Sequence, residues 1–129
     1  MQRRSFLLHA AAGTAALGAP GLRASTWPER PIKVLQGFAP GGNADTIARV
    51  VGGEMVRGLG QPMVFEAVAG AGGTLASGAA ARAAPDGYTL LLATGGHAVA
   101  GALYEKLPYQ TVNSFQMVST LTFFPFLVV

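Results

Sequence analysis

The feature that most constrains the fold is a glycine-rich stretch that recurs three times, each time where an apolar run gives way to a helical pattern. Phe38-Ala39-Pro40-Gly41-Gly42-Asn43-Ala44-Asp45 follows the run from Ile32 to Leu35. Gly70-Ala71-Gly72-Gly73-Thr74 follows Met63 to Val68, and Thr94-Gly95-Gly96-His97 follows Tyr88 to Ala93. Glycine lets the backbone turn sharply and bares the first amides of the next helix, which have no intrahelical partner and carry partial positive charge. Three such loops side by side would make a main-chain cradle for an acidic small molecule.

The intervening segments read as strand and helix in alternation. Ile32 to Leu35 is a short strand. Ile47, Val51, Met55 and Leu59 fall four apart and predict a helix with that line along one face, stopped by Gly60-Gln61-Pro62. Gly52-Gly53 inside it costs about 1 kcal/mol per glycine relative to alanine, so the helix either packs closely or breaks there. Met63 to Val68 is the second strand, and Thr74 to Ala83 is an alanine-rich helix with Leu75 and Ala79 on one side. Ala84-Pro85-Asp86-Gly87 has the residues of a tight turn, and Tyr88 to Ala93 suits a strand buried on both faces. A short helix is expected over Ala98 to Tyr104, a break at Pro108-Tyr109, and strands over Met117 to Leu121 and Phe126 to Val129. The last run meets the chain end without turn or polar cap, which reads as a truncation.

This order predicts an α/β fold of two successive βαβ units. Right-handed crossovers place every helix N-terminus, and with it every glycine loop, at the carboxyl edge of a parallel sheet. Ligands of open α/β sheets bind there, at the switch point of strand order. The candidate binding residues are therefore Ala39, Gly41, Gly42, Asn43 and Asp45 in the first loop, Gly70, Gly72, Gly73 and Thr74 in the second, and Thr94, Gly95 and His97 in the third. Two roles are open to Asp45: ligand contact, or complement to the helix dipole. Capping is preferred over anion binding for Asn43 and Thr74. His97 either donates to a carboxylate or, preferably, is a cap or surface residue.

The N-terminus calls for a separate reading. Arg3-Arg4-Ser5-Phe6-Leu7 is a twin-arginine pair followed by an apolar stretch from Phe6 to Ala19 that is too short to span a bilayer, and Leu22-Arg23-Ala24 offers a small residue for cleavage. A signal over residues 1–24 is expected, with a periplasmic mature chain of 25–129. Arg3, Arg4 and Arg23 leave with it, so the net charge of +3 falls to six cations against six anions. The basic balance belongs to the targeting peptide and gives no support for nucleic-acid binding. The chain has no cysteine, which excludes disulfides and thiolate metal sites, and His9 lies in the signal, which removes a histidine pair.

Enzyme motifs are incomplete. Gly70-Ala71-Gly72-Gly73-Thr74-Leu75 begins like a dinucleotide fingerprint, but its third glycine would fall at Leu75. There is no Gly-Lys-Ser/Thr phosphate loop and no Gly-x-Ser-x-Gly elbow. Glu54 and Glu66 give no paired-carboxylate argument. No enzyme, cofactor or metal is expected, and a Rossmann-like dinucleotide-binding domain is kept as the enzymatic alternative.

Several motifs, taken in order, carry a resemblance. They are Trp27-Pro28, Arg30-Pro31-Ile32, Phe38-Ala39-Pro40-Gly41-Gly42 with Asp45 and Ala48-Arg49, Leu59-Gly60-Gln61, Gly70-Ala71-Gly72-Gly73, Ala84-Pro85-Asp86-Gly87-Tyr88-Thr89-Leu90 and Leu107-Pro108-Tyr109. The sequence resembles the tripartite tricarboxylate transporter substrate-binding receptors, the Bug-type periplasmic proteins. The resemblance implies a periplasmic-binding-protein-like clamshell of type II, a carboxylated solute held largely by main-chain groups, and delivery to membrane permease subunits. It also implies that 25–129 is the start of the first lobe with the second lobe absent. A truncated, nonfunctional piece of such a receptor is the alternative. Ala67-Val68-Ala69, Gln110 and Ser114 depart from the family's frequent residues.

Overall fold

The computed structural model describes residues 26–123. Pro31 opens an apolar run that forms β1 (Ile32–Gln36), flanked by β2 (Met63–Ala67) and β3 (Thr89–Leu92). Both neighbours run parallel to it, in register Ile32 with Met63 and Gln36 with Ala67 on one side, and Lys33 with Thr89 and Gln36 with Leu92 on the other. The sheet order β2-β1-β3 means that the chain steps to one side of β1 and then crosses to the other. Parallel neighbours need crossover connections, which α1 (Asn43–Leu59) and α2 (Thr74–Ala81) supply; α3 (Gly95–Leu103) follows β3. Because the two crossovers run in opposite directions, right-handedness puts α1 and α2 on opposite faces. That sandwiching buries Ile32, Val34, Leu35 and Gln36 of the central strand.

The helices turn small residues inward. In α1 the buried positions are Asp45, Ala48 and Gly52, whereas Met55 is exposed and Ile47, Val51 and Leu59 are half-buried flank. The buried column thus lies beside the apolar line of Ile47, Val51, Met55 and Leu59 rather than on it. Its cause is the close approach of helix to sheet: a Cβ on Gly52 would stand 2.5 Å from Phe65 Cζ and 3.2 Å from Met63 Sδ. The helix continues unbroken through Gly52-Gly53 and ends at Gly60, whose φ of 69° lets its N–H reach the Val56 carbonyl. Helix α2 follows the same rule, burying Ala76, Ser77 and Gly78 and leaving Leu75 exposed. A Cβ on Gly78 would lie 3.5 Å from Pro108 Cγ, so the 108–109 segment closes over that face.

Three further expectations are corrected. β3 is half-buried along its length, because it is an edge strand among the described residues. Helix α3 starts at Gly95, directly in the third glycine loop, rather than at Ala98. Met117 to Leu121 is exposed and forms no strand, having no described strand to pair with. The expected strand at Phe126 to Val129 and the signal at 1–24 lie outside the described residues. No helix among the described residues is long and apolar enough to cross a membrane.

At the amino edge of the sheet, the residues before β1 are fastened to the turn before β3. Arg30 bonds Asp86 at 2.8 Å and lies 4.0 Å over the Tyr88 ring, while the Glu29 N–H donates to Tyr88 Oη at 2.8 Å. Asp86 also accepts the Tyr88 N–H at 3.0 Å, which sets the turn. This clamp holds the end of the sheet opposite the glycine loops.

Candidate functional site

The three glycine loops sit side by side at the carboxyl edge and touch through backbone. A Cβ on Gly37 would stand 2.5 Å from Gly73 Cα, and a Cβ on Gly96 would stand 2.7 Å from the Gly72 carbonyl oxygen. The second loop therefore lies between the other two, and only glycine permits either contact. Gly37 was not among the candidates from sequence, although its place directly after β1 is a readable signal. Between the loops lies a space of 10 Å³, lined by Gly37, Phe38, Gly72, Gly73, Thr94 and His97 among others, which is about the volume needed to admit one water. A larger hollow of 400 Å³, lined by Tyr104, Glu105, Leu107, Gln110, Thr111 and Asn113, lies beyond α3 and contains none of the candidates.

The first loop is held from below by Asp45. Its Oδ2 accepts the Gly41 N–H at 3.0 Å and Arg49 Nε at 2.9 Å, and its Oδ1 accepts Gln36 Nε2 at 3.2 Å. The Arg49 hydrogen bond, followed by the Gly41 amide, holds this carboxyl below its ordinary value against the opposing effect of desolvation. Arg49 is raised in turn by the same carboxylate. Asp45 is only 4% exposed, so its oxygens face the protein and fix the turn at Gly41, where φ is 80°. Gln36 Oε1 is buried beside it with no hydrogen-bond partner among the described residues.

None of the three helices has a side-chain cap. The N-cap positions are Gly42, Gly73 and Thr94, each without a side-chain bond to the helix amides. Asn43 and Thr74 are already helical, which corrects the expectation that they cap. In α1 the first helical bond is from the Thr46 N–H to the Gly42 carbonyl, so the amides of Asn43, Ala44 and Asp45 precede it. The His97 N–H reaches the Thr94 carbonyl at 2.9 Å, and the amides of Gly95 and Gly96 precede that bond. Ala39 contributes its carbonyl to the Gly42 N–H at 3.3 Å.

The second loop is a left-handed turn. Gly70, Ala71, Gly72 and Gly73 have φ of 138°, 46°, 63° and 93°. The Gly73 N–H closes on the Gly70 carbonyl at 2.9 Å, and the Thr74 N–H on that of Ala71. A side chain at Ala71 in this region costs about 1–2 kcal/mol. Gly72 is exposed, with nothing within 4 Å of where a Cβ would stand, so that side of the loop is open while its carbonyl packs on Gly96.

His97 is neither a surface residue nor a free donor. It is buried, with Nδ1 2.9 Å from Ser77 Oγ and Nε2 2.9 Å from the Thr111 carbonyl. Its ring stacks on Tyr109 at 5.8 Å and meets the edge of Phe115 at 4.9 Å. Ser77 and Thr111 were missed from sequence. A serine facing inward in an alanine-rich helix is the one available hint. The pair is not arranged as a hydrolase dyad, since Ser77 is 2% exposed and also bonds the Gly73 carbonyl at 3.2 Å. Among the described residues no three His, Cys, Asp or Glu side chains come together to hold a metal. The edge carries helix N-terminal amides rather than side-chain charge.

Comparison with known proteins gives a consistent result. The family model described as the tripartite tricarboxylate transporter family receptor matches residues 47–129. Protein BugT of Bordetella pertussis is 40% identical over 118 residues, which is 90% of this chain and 36% of BugT. Among solved structures, the periplasmic binding protein BugD is 42% identical with a TM-score of 0.67, covering 69% of this chain and 30% of BugD. MatC from Rhodopseudomonas palustris, solved with bound malate, is 48% identical with a TM-score of 0.62, covering 66% of this chain and 29% of MatC. The described βαβαβ unit is thus an α/β lobe of the periplasmic-binding-protein kind, and the chain spans about a third of the length of the curated relatives it matches.

Proposed function

The chain belongs to the tripartite tricarboxylate transporter receptor family, a family of solute receptors rather than enzymes, and from that premise we propose that its glycine loops are one lobe's share of a carboxylate site. The observation that carries the proposal is the backbone contact of the three loops at the carboxyl edge, with helix N-termini that no side chain caps. Amides of residues 43–45, 71–72 and 95–96 would receive a ligand carboxylate, water filling the remaining donors. Asp45 would act from beneath by fixing the first loop. The malate held by MatC supports a small carboxylic acid as the ligand class. Delivery to membrane permease subunits, a periplasmic location and export by the twin-arginine signal at 1–24 belong to the same proposal.

A second reading is favoured by coverage: the chain is a part of such a receptor that does not serve as a receptor by itself. Its matches span about a third of the curated relatives, and the proposed amides lie on an open edge. Titrating malate into the isotope-labelled chain and following backbone amide signals tests the site under both readings. Perturbation gathered at 41–45, 71–74 and 95–97 is expected. Perturbation confined to the 104–113 hollow would overturn the placement.

A further inference from the structure

We infer that His97 and Ser77 are a positioning pair that sets the second glycine loop against the first and third. Thr111 offers a carbonyl, which only accepts, so the hydrogen in that contact sits on His97 Nε2. Nδ1 faces the Ser77 hydroxyl at 2.9 Å. The same hydroxyl stands 3.2 Å from the Gly73 carbonyl, so the ring and the loop share one Oγ. Where the ring goes, the Gly73 carbonyl follows.

Gly73 is the residue through which the left-handed turn passes into α2. Its Cα is the atom nearest a Cβ built on Gly37, and the neighbouring Gly72 carbonyl is the one nearest a Cβ built on Gly96. A displacement of Gly73 therefore disturbs both inter-loop contacts. His97 meanwhile belongs to the third loop through its N–H to Thr94, and its ring is wedged between Tyr109 and Phe115. One residue thus links the third loop, the second loop and the 109–115 segment. Its side chain does not touch ligand in this role; it acts through Ser77. The consequence for carboxylate binding rests on the proposed function, whereas the consequence for loop geometry does not.

The test uses the whole chain, isotope-labelled, with Ser77→Ala and His97→Asn singly and together. The ring nitrogen spectrum should show a hydrogen on His97 Nε2, bonded to the Thr111 carbonyl. Each variant should move the amide signals of Gly72, Gly73 and Gly96 while leaving those of Phe65 and Gly60 in place, and the double variant should add little to His97→Asn alone. Malate titration should require at least threefold more ligand in Ser77→Ala, which removes only an oxygen and keeps the helix packing. Unmoved Gly72, Gly73 and Gly96 signals in a folded Ser77→Ala chain, or fully additive shifts in the double variant, would overturn the pair. If the loop signals move together but malate perturbs no loop amide in the parent chain, the pair stands and the carboxylate reading falls.

Discussion

Gly37→Ala and Gly53→Ala add the same methyl group and should change stability in opposite directions. At Gly37 the new Cβ would stand 2.5 Å from Gly73 Cα and 3.3 Å from its carbonyl oxygen, all backbone that cannot rotate away. Overpacking of this kind costs about 1–3 kcal/mol, while restricting the unfolded chain returns about 0.4–1 kcal/mol, so a net loss of about 1–2 kcal/mol is expected. At Gly53 nothing lies within 4 Å and the residue is exposed in the middle of α1, so alanine should stabilise by about 1 kcal/mol. Neither glycine has positive φ, so backbone strain does not enter the comparison. Urea unfolding should separate the two midpoints by about 2–3 kcal/mol in total at unchanged slope. A Gly37→Ala chain as stable as its parent would refute the claim that the first and second loops meet through backbone.

Asp45→Asn tests the staple beneath the first loop. A carboxyl held below its ordinary value of 3.8 contributes stability above that pH and loses it as pH falls further, so the parent should weaken on acidification through and below that range and the variant should weaken less. Acid melts of both chains give the comparison, and parallel curves would remove Asp45 from that role. Ala71→Gly should raise stability by up to about 1 kcal/mol, because relief of the left-handed strain outweighs the added freedom of the unfolded chain; calorimetry that finds a loss would contradict a φ of 46° at this position. Replacing Arg3 and Arg4 with lysine should hold the protein in the cytoplasm, and undiminished periplasmic delivery on fractionation would reject the twin-arginine reading. Malate should bind the chain itself no tighter than about millimolar, equivalent to about 4 kcal/mol; a micromolar constant by calorimetry would make it a self-sufficient receptor.

What sequence pattern could reveal was the path of the backbone. Glycine clusters after apolar runs placed all three loops at one sheet edge; Gly41, Gly70 and Gly72 adopt positive φ that other residues resist, and Gly96 meets the Gly72 carbonyl too closely for a side chain. Which side of each helix faces the sheet was not legible, because periodicity selects the largest apolar residues and the sheet lies too close to admit them. Ala48 and Gly52 in α1, and Ala76 and Gly78 in α2, are chosen by distance rather than by hydrophobicity. The capping expectation failed for a related reason: Gly42 and Gly73 hold the N-cap positions, leaving Asn43 and Thr74 one residue too late. His97 was misjudged because its partners Ser77 and Thr111 are 20 and 14 residues away, a separation that no local motif encodes.

Main-chain recognition also explains how residues 26–123, with six cations against six anions, suit an acidic ligand on the proposed reading. Arg49, beside the first loop, is already paired with Asp45 at 2.9 Å, and no lysine or arginine occurs in residues 70–74 or 94–97. Attraction would then come from amide dipoles, whose effect depends on how much water remains between them and the carboxylate. A pair of unit charges 4 Å apart gains about 1 kcal/mol in bulk water and about 4 kcal/mol near a protein surface, and partial charges scale down from there. Loops exposed on one edge operate near the first limit. Their contribution is shape: contacts such as Gly37 on Gly73 and Gly96 on Gly72 fix the donors relative to one another before any ligand arrives. The affinity must come from whatever excludes water over them, which is why the loop geometry and the binding strength should respond separately to substitution.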